Sequence, residues 1–397
     1  MSTTDALAQT PPVTNLHVHV APNFSAFRDV DDLVAEAVVE GVRAIGISSF
    51  FDQQVYARFD EACRAAGIVP LFGLEFVTLD PELAAAGTKV NDPANPGRIY
   101  FCGKGIQPFR TVGDAAAGIH RAIREGNDAR AAEMIARLAE HFSDHGVDTG
   151  LAAPAVAAAV AQRAGVPAEW VSIQERHIAQ AFADAIADLP ADQQAAALAR
   201  VYGRPSKADP TDGVGVQGEI RSALLKSGTV GFVPEVPLSF DAVYGYILAT
   251  GGIPTYPILA DGAPIISEWE APASELAQRL LARGVHAAEL IPNRNASAVV
   301  DDYVTALTDA GIIVLGGTEH NTLDRIPLDP ACADGPLSSL AREAFFEGAC
   351  IVAAHQALVA DGRPGYVDAA GALVGDAVHR AVLVALGASI IEGDTTE

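Results

Sequence analysis

Short apolar runs alternate along the chain with segments in which apolar residues recur every three or four positions. The short runs are typical of buried strands, and the periodic segments are typical of amphipathic helices. The predicted strands span residues 13–20, 42–51, 68–76, 98–105, 252–259, 287–291 and 311–317. Because strands and helices alternate, the pattern predicts a parallel α/β sheet or barrel.

The middle of the chain departs from this pattern. Strand signals vanish between about residues 112 and 200, where alanine dominates and amphipathic segments follow one another. We therefore predict a helical insertion at 113–205 with its own small core, flanked by the first part of the barrel at 1–112. The second part, with the C-terminal helices, would span 206–397. Roughly seven strand–helix units arranged this way fit a TIM-like barrel.

Composition narrows the range of partners. The chain has 397 residues, 50% of them hydrophobic, so it can bury a sizeable core. Lys and Arg number 26 against 50 Asp and Glu, giving a formal net charge of −24. Such a protein repels polyanions, so we expect neither nucleic acid nor a membrane surface as a partner.

The N-terminal residues lack the features of a signal peptide, and no apolar run reaches the ~18 residues of a membrane helix. The four cysteines form no C-x-x-C pair, which favours free thiols. A cytoplasmic location is therefore expected.

The sharpest local feature is the pair His17 and His19 in the first predicted strand. Residues i and i+2 of a strand point to the same face, so these two imidazoles could chelate one metal ion. Barrel enzymes place their chemistry at the carboxyl ends of the strands, where this pair lies. The alternative is two histidines satisfied by hydrogen bonds.

Acidic residues recur at the ends of other predicted strands. Glu75 ends the third strand, Glu289 lies in the run AAELI, and Glu319 follows GIIVLGG. Buried carboxylates are costly unless they are paired or bound to metal. Singly, Glu75 or Glu289 could cap a helix or pair with an arginine. Together with the two histidines, these carboxylates predict a metal site at one rim of the barrel.

Two further histidines could join this site. His320 follows Glu319 directly. Strand alternation points it away from Glu319, but alternation fails where the chain leaves the sheet, so His320 is included among the predicted metal ligands. His177 could reach the site from the insertion, or could equally lie on a helix surface.

The motifs follow one another in a recognisable order. In chain order they are His17-x-His19, Ala37 and Gly41 before AIGISSF, GIVPLFGLE with Glu75, GGIPTYP, GVHAAEL with Glu289, and Gly317-Thr318-Glu319-His320-Asn321. This order resembles the PHP superfamily, named for polymerase and histidinol phosphatase, over residues 13–325. A segment of the insertion, 175–182, is similar to one in phosphatases of the superfamily.

The resemblance implies a distorted (β/α)7 barrel, up to three metal ions at the strand ends and hydrolysis of phosphate esters. The sequence departs from the family pattern at Ser49-Phe50, Tyr256 and Asn321, which stand in place of ligands, and the fourth strand has no histidine. The residues that still match one complete metal subsite are His17, His19, Glu75 and Glu319. We therefore predict a single divalent ion, Zn²⁺ or Mn²⁺.

Other residues are candidates for the chemistry itself. Lys104 is flanked by glycines at a strand end, which would place it at the barrel rim, and Arg294 follows a strand. Both could position an anion, as could Lys226. Tyr256 and Tyr100 stand at ligand positions of the family, and each could act as a general acid or orient a substrate hydroxyl. A solvated loop lysine and space-filling tyrosines are the alternatives.

Three functions are compatible with these residues. The first is a metal-dependent, phosphoesterase-like hydrolase of a small phosphorylated or sugar-like molecule. The second uses the ion only as a Lewis acid, in a lyase or isomerase of a sugar or sugar acid. The third is a PHP-like binding protein without catalysis, which the missing ligands favour and the surviving four-ligand set opposes. A homodimer through the alanine-rich helices is also compatible with the sequence.

Overall fold

A computed structural model describes residues 10–393. Eight strands belong to one sheet: β1 (Thr14–Val18), β2 (Ala44–Phe50), β3 (Val69–Leu79), β4 (Arg98–Lys104), β5 (Leu238–Ser239), β6 (Ile253–Ile258), β7 (Ala287–Leu290) and β8 (Ile313–Gly316). Their order is β1-β2-β3-β4-β6-β7-β8, and the short β5 pairs with β3. The seven predicted strands are therefore present, and the prediction of an α/β barrel is confirmed.

The two edges of this sheet meet at the predicted metal residues. An isolated parallel bridge joins Val18 to Glu319 beyond the end of β8. The His19 amide donates to the Glu319 carbonyl at 2.8 Å, and the Glu319 amide donates to the His17 carbonyl at 2.7 Å. A Cβ on Gly317 would lie 2.3 Å from the Cβ of His17, so only glycine permits this approach.

One strand runs against its neighbours. β4 is antiparallel to both β3 and β6, whereas the other pairs along the main order of the sheet are parallel. Its first residue, Arg98, therefore pairs with Leu79 at the carboxyl end of β3, and its last, Lys104, pairs with Gly73. Lys104 thus lies within the barrel, and the prediction that it sits at the rim is wrong.

Helices surround the sheet and fill the interval between β4 and β5. They are α1 (Val30–Val39), α2 (Tyr56–Ala65), α3 (Pro81–Ala85), α4 (Asp114–Asp144), α5 (Ala153–Ala164), α6 (Glu175–Ala187), α7 (Ala191–Tyr202), α8 (Gly213–Leu224), α9 (Phe240–Ala249), α10 (Ala273–Ala282), α11 (Ser297–Asp309), α12 (Ser339–Ala360) and α13 (Ala377–Glu392). A two-stranded hairpin, β9 (Ala331–Cys332) and β10 (Gly335–Pro336), precedes α12. Across residues 10–393, no helix is both long and apolar enough to cross a bilayer.

Helices α4 to α8 enclose a separate hydrophobic core. Buried side chains such as Leu138, Phe142, Phe182 and Leu198 form it, and it continues to Leu225 in the segment after α8. The helical part thus extends past residue 205, the boundary that composition suggested. Its segment before α6 contacts the barrel beside β1, because the Gln174 side-chain oxygen accepts a hydrogen bond of 2.6 Å from the Phe24 amide.

Candidate metal centre

Two histidines and one carboxylate meet at the end of β1. His17 and His19 are 2% and 1% exposed, and their Nε2 atoms lie 3.4 and 3.2 Å from Glu75 Oε2. The alternation of side chains along a strand places both imidazoles on the same face, as predicted from the sequence. Phe50 stacks on His19 with the ring centroids 5.0 Å apart and the planes 4° from parallel, which fixes the orientation of that imidazole.

Glu319 reaches the same place from the opposite edge of the sheet. Its backbone has φ +65° and that of His320 has φ +51°, so the chain turns sharply after β8. Ligand atoms of His17, His19 and Glu319 lie within 4.8 Å of one another. The four residues predicted to form one metal subsite are therefore neighbours in space.

Several polar atoms of this group lack well-oriented hydrogen-bond partners among the described residues. Within residues 10–393, His17 Nε2, His19 Nε2 and Glu75 Oε2 are buried and make no well-oriented hydrogen bond. Unsatisfied buried polar atoms are costly. Imidazole nitrogens and carboxylate oxygens are also the donors that Zn²⁺ and Mn²⁺ accept, so the residues present fit a divalent ion.

Burial and neighbouring charges shift the pKa values of this group. Burial raises the pKa of Glu75, but hydrogen bonds and charges from His17 and His19 outweigh it and lower that pKa to about 2. Burial lowers the pKa of His19. For His17, burial acts in the same direction, but Glu289 more than offsets it and the pKa is raised. A charged carboxylate beside a neutral His19 is the protonation state that a metal requires.

Behind His17 lies a buried ion pair. Glu289 Oε1 accepts a hydrogen bond from His17 Nδ1 at 3.0 Å, and its Oε2 lies 2.6 Å from Lys104 Nζ. Lys104 also donates to Ser48 Oγ at 2.8 Å and to the Leu16 carbonyl at 2.9 Å. The three hydrogens of the ammonium thus have three acceptors within the protein. The prediction that Lys104 positions a substrate anion is therefore wrong.

Tyr256, predicted as a catalytic residue, lies outside the cluster. The sheet register pairs Cys102 with Thr255, and Cys102 faces His17 inside the barrel, so Thr255 shares the inward face and Tyr256 points outward. Its hydroxyl donates to Glu270 Oε1 at 2.9 Å. The structure does not support a catalytic role for Tyr256.

The two additional histidines are also engaged elsewhere. His320 Nδ1 lies 2.8 Å from Thr318 Oγ1 and its Nε2 lies 2.8 Å from the Ile326 carbonyl, so neither ring nitrogen is available to a metal. The prediction of His320 as a ligand is wrong because the turn at Glu319 carries the next side chain away. His177 accepts a hydrogen bond from the Gln174 amide and caps α6.

A group of cationic side chains extends from Glu319 into the helical part of the chain. Arg294 forms an ion pair with Glu319. From the helical part, Arg221 Nε and Lys226 Nζ lie 2.8 and 2.6 Å from the same Glu175 oxygen.

Arg176 completes this cationic group. Burial and the nearby charges of Arg221 and Arg294 together lower its pKa to about 10, and it forms no ion pair with the described residues. Sequence reasoning missed Arg176 and Arg221, because their distance along the chain from the barrel strands gives no local signal of where they lie.

Comparison with known proteins gives structural likenesses only. No family model and no curated protein matches the sequence. A structure from Bifidobacterium adolescentis, assigned as a metal-dependent phosphoesterase, has a TM-score of 0.55 and 15% identity over 84% of this chain and 96% of its own. An amidohydrolase from Chromobacterium violaceum, with bound sulfate and no metal, has a TM-score of 0.53 and 17% identity over 80% and 93%. At such identities the likeness concerns the fold, and membership of the PHP superfamily stays a prediction.

Proposed function

We propose that this protein is a metal-dependent hydrolase, phosphoesterase-like, of a small anionic molecule. One divalent ion, Zn²⁺ or Mn²⁺, would be held by His17, His19, Glu75 and Glu319. The observation that carries the proposal is the set of buried ring nitrogens and carboxylate oxygen that converge without well-oriented hydrogen bonds. The names of the two structural neighbours, a metal-dependent phosphoesterase and an amidohydrolase, are compatible with this class.

Neighbouring residues orient the imidazole rings of His17 and His19 before any ion binds. Glu289 accepts the Nδ1 proton of His17 at 3.0 Å and so directs the lone pair of Nε2 toward Glu75. Phe50 restrains the ring of His19. A bound divalent ion would supply Lewis-acid polarisation of the scissile group and would lower the pKa of a water molecule.

The cationic group formed by Arg176, Arg221, Lys226 and Arg294 would bind the anionic part of the substrate. Arg294 pairs with the ligand Glu319, which at 9% is the most exposed residue of the metal cluster, and Arg176 lies close enough to Arg294 for its charge to be felt. In a chain with net charge −24, such a concentration of cations favours approach of an anion to this mouth. Arg176 is the principal candidate, because it has no competing carboxylate partner in the described chain.

Metal removal tests the proposed reaction class. We expect the chelator-treated protein to lose hydrolysis of phosphate monoesters and diesters, and Zn²⁺ or Mn²⁺, but not Mg²⁺ alone, to restore it, because imidazole ligands disfavour Mg²⁺. Phosphate release and consumption of unphosphorylated sugar acids are measured in parallel. Metal-dependent turnover of a sugar acid without phosphate release would instead identify a lyase or isomerase, and metal binding without any turnover would identify a binding protein.

Substitution of Arg176 tests substrate recognition separately. Arg176→Ala is expected to raise KM for an anionic substrate by about 10- to 100-fold with a smaller change in kcat, because it removes a charge-assisted hydrogen bond of ~1.5–3 kcal/mol. The matched control is Arg163→Ala, which removes an exposed arginine of the same helical part paired with Asp184. Equal kinetics for the two variants would contradict the assignment of Arg176 to substrate binding.

A further inference from the structure

A second group of potential metal ligands lies next to the first. His17, Cys102 and Glu289 each offer one atom, these atoms lie within 4.8 Å of one another, and all three residues are buried. His17 belongs to both groups. Imidazole, thiolate and carboxylate are common ligands of Zn²⁺ and Co²⁺, so this group would by itself suit a second ion beside the first.

The ammonium group of Lys104 already lies beside ligand atoms of this second group. Its Nζ lies 2.6 Å from Glu289 Oε2 and 3.5 Å from His17 Nδ1, and it is held there by Ser48 Oγ and the Leu16 carbonyl. Lys104 is 2% exposed, so solvent does not screen its charge. A divalent ion within ~4 Å of this ammonium would meet strong repulsion at low dielectric and would have to displace it from Glu289.

We propose that the Lys104 ammonium is a built-in cation that takes the place of a second divalent ion, so that the barrel binds one metal ion rather than two. This inference rests on the proposed function, because it presupposes the ion at His17, His19, Glu75 and Glu319. The antiparallel direction of β4 is what places Lys104 at the level of Gly73, from where its side chain reaches Glu289.

Cobalt binding tests this role without reference to activity. Metal-free wild type and Lys104→Ala are titrated with Co²⁺ alone, and bound metal is counted after desalting while the near-ultraviolet thiolate-to-Co²⁺ absorption is recorded. We expect one Co²⁺ in the wild type without thiolate absorption. In Lys104→Ala we expect two Co²⁺, with thiolate absorption from Cys102. The control is Lys89→Ala, at an exposed position, which should resemble the wild type.

The outcomes separate this inference from the proposed function. Two Co²⁺ per wild-type chain, or thiolate absorption in the wild type, would overturn the role of Lys104 and leave a metal-dependent hydrolase intact. One Co²⁺ in Lys104→Ala without thiolate absorption would overturn it as well. No Co²⁺ in the wild type would overturn the proposed function itself. Because the wild-type measurement needs no variant, poor folding of Lys104→Ala does not remove the test.

Discussion

His19→Ala is expected to abolish stoichiometric metal binding and, with it, metal-dependent hydrolysis. The Nε2 atom of His19 lies 3.2 Å from Glu75 Oε2. Because His19 is only 1% exposed, no solvent-exposed side chain can replace it without rearrangement. Substitution of residues that merely orient metal ligands costs about 10- to 100-fold in affinity, so removal of a direct ligand should cost more than about 100-fold. Elemental analysis of protein purified without chelator, together with a competition titration, measures the change.

The matched control is a histidine that the sequence also nominated. His320→Gln should retain one ion per chain, because both ring nitrogens of His320 bond to Thr318 and Ile326 rather than to the cluster. Full metal content and activity in His19→Ala would contradict the assigned site. Metal loss in His320→Gln with an unchanged melting temperature would return His320 to the ligand set.

Glu289→Leu is expected to destabilise the protein by about 3–5 kcal/mol in the absence of metal. The substitution leaves the Lys104 ammonium buried without its carboxylate partner and removes the hydrogen bond to His17. Urea denaturation in the presence of chelator, analysed at constant m-value, gives the change in the free energy of unfolding.

The double variant Glu289→Leu/Lys104→Met separates the unpaired charge from the lost packing. A buried ion pair replaced by apolar side chains of similar size is often close to neutral, so most of the stability should return. Glu275→Ala is the surface control. It removes the partner of Arg279 in a largely exposed pair and should cost under about 1 kcal/mol. Equal stability of the single and double variants would show that no buried ammonium is stranded at Lys104.

The proposed metal ligands were accessible to sequence reasoning because their signals are local. Two histidines at i and i+2 of a strand must share a face, and a carboxylate in a buried strand needs a partner. Both rules hold for His17, His19 and Glu75, whatever the rest of the chain does. Glu289 carried the same signal, but its partners proved to be His17 and Lys104.

Two members of the cationic group, Arg176 and Arg221, had no comparable signal. Arg176, Arg221 and Lys226 lie in α6, in α8 and just after it, far in sequence from the barrel strands they approach. Only the docking of the helical part beside β1, through contacts such as Gln174 with Phe24, brings Arg176 near Arg294. Long-range packing of this kind leaves no periodicity in the sequence.

The sequence by itself determined the seven strands, their alternation with helices and the four residues that converge on the proposed metal site, because hydrophobic periodicity and strand alternation are local properties. The tertiary structure alone decided the direction of β4, the outward face of Tyr256 and the turn that separates Glu319 from His320. Strand direction and register depend on partners distant in sequence, and a positive φ at a non-glycine residue depends on the surrounding contacts that hold it. Because β4 runs antiparallel to its neighbours, Lys104, which the sequence placed at the barrel rim, lies beside Glu289 inside the barrel.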